Sequence, residues 1–232
     1  MKHYSIIIFL FISIMTSCSS QPKLDLAQVQ LPYDFNELKN DELQIEKDKL
    51  KFENLIVYTS EDKNLFVFDK ITFAKEFSDK YHSPTRLYFY TNESSNSVQF
   101  IRLNTHDGIN GEKMYQSILK LFGKPIYYSK DKEFFNGVWE KGNTTFLLKQ
   151  NYTAQIGNEK TVTTDLYILN NEIESLTDYY FSSDFQYYKD FVNERVKKQN
   201  SNYTYQQFAE DQKNEFFEEE KYLKQIEKNL PL

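Results

Sequence analysis

Few residues in this chain are equipped for chemistry. Beyond the first twenty residues the only histidines are His82 and His106. His106 is followed by Asp107 in a loop that precedes a helical stretch, so this is the one place where acid–base chemistry is conceivable. Adjacent residues in a loop do not make a triad, and no serine sits in a nucleophile-elbow pattern. HExxH, cysteine clusters, glycine-rich phosphate loops and calcium loops are all missing from the sequence. Asp62, Asp69, Asp79 and Asp107 lack metal-ligand spacing. Two histidines and a single cysteine, Cys18, argue against a transition-metal site, so no cofactor is expected. A pair of carboxylates working as in a glycosidase is compatible with so acidic a chain. Such pairs are remote in sequence, however, and nothing selects one.

Aromatic side chains are the richer resource, with 20 Phe and 18 Tyr against 3 Met. Tyr127, Tyr128, Phe134, Phe135 and Trp139 follow Pro125 closely and form the candidate binding cluster. Tyr179-Tyr180 and Tyr187-Tyr188 are the second choice. Neighbours on an extended chain point in opposite directions, so some of each cluster must be exposed or cover a loop. Trp139, the only tryptophan, is either a ligand platform or a core anchor with its N–H satisfied, and the second reading is favoured.

The elements that must position these residues are legible from hydrophobic period. Met114, Ile118, Leu121 and Phe122 recur at helical spacing, with Tyr115 and Leu119 widening the apolar face. Asn110 is a candidate N-cap. Gly123 ends the helix, and Pro125 prevents its resumption. Val138 to Gln150 reads as a hairpin turning near Gly142, with Thr145 and Leu147 on one face and Phe146 and Leu148 on the other. Before the helix, 55–59 and 65–69 read as a hairpin, 73–81 as a short helix, and 86–91 with 98–103 as a second hairpin. After it, 162–169 alternates as a strand antiparallel to 144–148. Residues 185–198 and 206–229 read as helices, with Asp184 as the cap of the first.

The expected fold is therefore α+β, a mainly antiparallel sheet covered by one or two helices, with two further helices at the C-terminus. The expected division is 1–17 signal peptide, 18–50 tether and polar N-terminal segment, 51–180 sheet domain, and 181–232 helical segment packed on it. Within the tether, 21–30 reads as a flexible spacer whose apolar residues allow part of it to pack. Residues 36–49 read as a short helix or a loose loop.

The first twenty residues carry the clearest signal. Lys2 precedes an apolar run from Ile6 to Ile14, too short for a convincing spanning helix but suited to a secretory signal. The run ends in Met15-Thr16-Ser17-Cys18, which resembles the lipobox of bacterial lipoproteins, with Met15 where leucine is commoner. The resemblance implies cleavage after Ser17 and acylation of Cys18, by diacylglycerol on the sulfur and palmitate or a similar chain on the amino group. Two or three acyl chains hold a protein stably on a membrane. The resemblance covers only this segment. Residues 19–23 lack the acidic cluster that resembles a surface-export signal, so the expected location is the bacterial envelope, facing the periplasm.

The formal net charge is -6, and lysines are interleaved with acids, so nucleic acid is not an expected partner. Expected partners are membrane lipid through acylated Cys18 and an envelope protein, peptide or glycan. Three functions compete. The leading one is a non-catalytic binding or scaffold module. The alternatives are an envelope hydrolase using carboxylates and a structural subunit docking through its C-terminal helices. No residue in the sequence commits the chain to catalysis.

Overall fold

The computed structural model describes residues 24–38, 46–52, 54–74, 76–78, 80–173, 179–181 and 183–215. In chain order the strands and helices are β1 (Leu24–Asp25), β2 (Tyr33–Asp34), β3 (Glu46–Phe52), β4 (Leu55–Ser60), β5 (Phe66–Val67), β6 (Arg86–Asn92), β7 (Ser97–Thr105), α1 (Gly108–Phe122), β8 (Tyr127–Lys130), β9 (Phe134–Lys141), β10 (Thr144–Asn151), β11 (Gln155–Ile156), β12 (Glu159–Lys160), β13 (Thr163–Asn170), α2 (Gln186–Lys197) and α3 (Tyr205–Glu215). A nine-stranded antiparallel sheet runs β3-β4-β6-β7-β13-β10-β9-β8, with β2 pairing to the end of β7. The α+β architecture is as the sequence pattern predicts.

Two meanders build this sheet. The first ends in β7 and the second in β13, and these two strands pair antiparallel at its centre. Between them α1 crosses one face to reach β8 at the far edge. Strand alternation then decides what each face carries. Leu87, Phe89, Ile101, Leu103, Phe146, Leu148, Leu166 and Ile168 point toward α1 and the N-terminal segment. Phe100, Tyr127, Val138, Leu147 and Leu169 point toward the C-terminal helices. The molecule is thus three layers deep, and β9 and β10 are buried on both sides.

Two glycines permit the close packing. A Cβ on Gly111 would lie 2.4 Å from Thr164 Oγ1, so only glycine lets the first turn of α1 rest on β13. A Cβ on Gly137 would lie 2.7 Å from both Phe135 Cζ and Trp139 Cη2, whose rings close over that position.

Several local expectations change. Residues 55–59 do not form a hairpin with 65–69: β4 pairs with β3 and β6, and β5 pairs in parallel with β1. The reason is that 24–31 packs instead of trailing as a spacer. Leu24, Leu26, Ala27, Val29 and Leu31 are all buried in the α1-side core. Residues 46–49 are strand, not helix or loop. The described residues of 73–81 form no helix. They make a loop closed by a bridge between Glu76 and Pro84, with Phe73 stacked on Phe66. The N-cap of α1 is Asp107, not Asn110. Asp184 does not cap α2; it pairs with Lys149 on the sheet. The expected helix to residue 229 is described only as far as Glu215.

The C-terminal hairpin is held by aromatic contacts. Phe191 packs on Tyr205 and Phe208, with ring centroids 5.8 and 6.0 Å apart. Asp211 accepts from Tyr203 and pairs with Lys198, joining α2 to α3.

Candidate binding cleft

At the end of the sheet where β7 stops, four segments converge: Ala74 with Glu76 and Phe77, the turn 106–109 into α1, Tyr152, and 160–162. They line an open cleft of about 540 Å³. Phe77, Ile109, Val162 and Tyr152 supply its apolar surface, and Glu76 and Lys160 its charges. Asp107 shapes it. One carboxylate oxygen accepts from Asn110 N at 3.1 Å, and the other from Asn110 Nδ2 at 2.8 Å and Ala74 N at 3.0 Å. That carboxylate both caps α1 and ties Ala74 to it. Its acceptor positions are therefore committed to structure, and a role as catalytic base is disfavoured.

His106 sits beside it, half-buried. Its Nδ1 lies 2.8 Å from Ser83 Oγ, and its carbonyl accepts from Thr161 Oγ1 at 3.0 Å. Burial lowers its pKa below the ordinary value, and the nearby charge of Asp165 opposes the shift. The imidazole is thus neutral at pH 7. Glu76 accepts from Ser83 N at 3.1 Å and pairs with His82, so it braces the loop that delivers Ser83. Among the described residues no cluster of three or more His, Cys, Asp or Glu is arranged to hold a metal.

The aromatic cluster expected to bind does not form one surface. Tyr127, Phe135 and Trp139 are 1%, 0% and 2% exposed. Tyr127 faces the C-terminal helices, edge-on to Tyr205, whereas Phe135 and Trp139 lie on the opposite face of the sheet, Phe135 against Tyr115. Tyr128 and Phe134 are half-buried. Alternation along β8 and β9 divides the group between two covered faces, which is why sequence proximity misleads. Trp139 is a core anchor whose Nε1 donates to the Gly123 carbonyl at 3.0 Å. Of the second group, Tyr188 is buried and Tyr179 is exposed, edge-on to Tyr180. Cys18 lies outside the described residues.

No protein family, curated protein or solved structure matches this chain.

One polar cluster on the C-terminal face carried no sequence signal beyond alternation. Arg102 lies between the rings of Tyr88 and Tyr167, 5.5 Å from each centroid, and bonds Asp165 at 2.8 and 2.9 Å. Burial is the largest single influence and works to lower its pKa, but the Asp165 charge and hydrogen bond, with the Tyr167 and Tyr88 hydroxyls, together outweigh it and hold the guanidinium above its ordinary value. The cluster pins β7 to β13. Phe77, which lines the cleft, falls in the stretch 73–81 whose period reads as helix, and only the fold brings it beside His106.

Proposed function

We propose that the protein is a lipid-anchored binding module of the bacterial envelope, attached through acylated Cys18 and taking a segment of envelope protein, peptide or glycan in the cleft beside His106. The observation that carries this reading is the state of the cleft's polar groups. Asp107 and Glu76 are engaged by internal donors, while Phe77, Ile109 and Val162 offer apolar contact area. Sites with this balance hold and orient ligands. The anchor rests on the lipobox-like run ending in Cys18.

Binding is tested by titrating the anchor-free chain with peptidoglycan fragments and a peptide library, alongside Phe77→Ala. The reading expects saturable binding that Phe77→Ala weakens by about tenfold, the scale of one buried aromatic contact. No saturation by either ligand set overturns it. Anchoring is tested separately by palmitate labelling that disappears in Cys18→Ala.

A hydrolase is the second reading, favoured by one contact, Ser83 Oγ to His106 Nδ1. It expects turnover of activated esters that Ser83→Ala abolishes while leaving ligand binding intact. Turnover indifferent to Ser83→Ala sinks it.

A further inference from the structure

We infer that the bilayer lies against the cleft end of the domain, so that the cleft and the exposed side chain of Ile109 are presented at the membrane surface. The inference rests on the anchor at Cys18 proposed above, and it follows from how short the remaining tether is. Leu24 N donates to the Leu65 carbonyl at 3.0 Å and Leu26 N to the Val67 carbonyl at 2.9 Å. Asp25 Oδ1 accepts from Ala27 N and Asp69 N, locking this strand to the neighbouring loop. The chain is therefore fixed to the core from Leu24 onward, and only 19–23 separate it from Cys18. Six Cα steps reach at most about 22 Å when fully extended.

The point of attachment is at one end of the sheet. Leu65 N donates to the Asp62 carbonyl, and Asp62 N to Ser60 Oγ, so Leu24 lies near the last residue of β4. Ser60 is opposite Leu87, and Leu87 opposite Leu103. One residue further out, Arg86 is opposite Asn104, and Asn104 opposite Asp165. His106, Gly108 and Ile109 follow directly from this row, so tether and cleft share an end. The turn at Glu93, between β6 and β7, is at the other end. From the Leu103 row, level with the attachment of Leu24, strand β7 runs six more residues to Ser97, about 20 Å, and the Glu93 turn lies beyond that. The inverted orientation, with the Glu93 turn on the bilayer and Leu24 uppermost, would need the whole tether of about 22 Å drawn out straight along the sheet, at a large cost in chain entropy. Ile109, 74% exposed in the first turn of α1, is an apolar tip at the end left facing the lipid.

The test uses the full-length protein in lipid vesicles. Acylated Cys18 is silent to thiol reagents, so Ile109→Cys and Glu93→Cys each accept one fluorescent label. Lipids spin-labelled at the headgroup should quench the label at 109 several-fold more than that at 93. A flexible Gly/Ser spacer of about 20 residues inserted after Ser20 should remove the difference, since it adds roughly 25 Å of mean reach. Equal quenching at the two positions, or a difference that survives the spacer, overturns the orientation while leaving the anchor intact. Palmitate labelling indifferent to Cys18→Ala overturns the anchor and the orientation together.

Discussion

The buried hydroxyl of Tyr188 donates to Glu140, and Arg195 holds the same carboxylate through two bonds of 2.7 and 2.9 Å. Tyr188 and Arg195 belong to α2, and Glu140 lies at the end of β9. The pair is thus the polar latch between the C-terminal hairpin and the sheet. Burial, followed by the Glu140 charge, raises the Tyr188 pKa well above its ordinary value, so it remains a donor throughout the physiological range.

Removing the acceptor should cost more than removing the donor. Glu140→Ala leaves the Tyr188 hydroxyl without its acceptor and Arg195 without its carboxylate and is expected to destabilise by about 2 kcal/mol, whereas Tyr188→Phe leaves Glu140 with Arg195 and should cost about 1 kcal/mol. Denaturant titration of both variants and the double variant checks this. Strictly additive losses would show that the two residues are not coupled.

Gly137→Ala should destabilise by about 2 kcal/mol, because its methyl group would meet the rings of Phe135 and Trp139 and neither can retreat from a packed core. Tryptophan fluorescence should shift as Trp139 is displaced. A midpoint and spectrum equal to the parent would contradict the packing described.

Asp107→Ala removes the side-chain cap of α1 and the bond to Ala74 N. The expected loss is about 1–2 kcal/mol, with Asp107→Asn recovering part of it because the amide oxygen still accepts. Hydrogen exchange at Ala74 and Asn110 should accelerate in Asp107→Ala. Unchanged exchange at both would exclude the cap.

The lowered pKa of His106 fixes the sign of one pH effect. The unfolded chain takes up this proton near the ordinary histidine value of about 6.5, before the folded chain does. Between that value and the lower folded one, the unfolded state binds more protons, so stability falls as pH falls. His106→Asn should flatten this part of the profile when thermal midpoints are compared between about pH 7.5 and about pH 5.5. A slope identical in the variant would assign the effect to other groups.

Local period alone determined the α1 helix, the β9–β10 hairpin at Gly142, the β6–β7 hairpin, the strand after them and the α+β class. Each depends on residues within one or two turns of one another. The resemblance at Cys18 was likewise readable only from adjacent residues, and His106-Asp107 stood out by type. What the tertiary structure decided was which segments meet. Strand β5 is too short to carry a pairing preference, and it pairs with β1 because Leu24 and Leu26 fill the space beside it. Tyr127 and Trp139 look like one cluster along the chain, yet the pleat sends them to opposite faces and two helical layers bury both. Ser83 is twenty-three residues from His106, and their contact continues the β6–β7 register past Arg86 opposite Asn104 and the Thr85–Thr105 hydroxyl pair. Pairings such as that of β5 with β1 are set by the summed burial of a whole layer, a quantity that no local window of sequence contains.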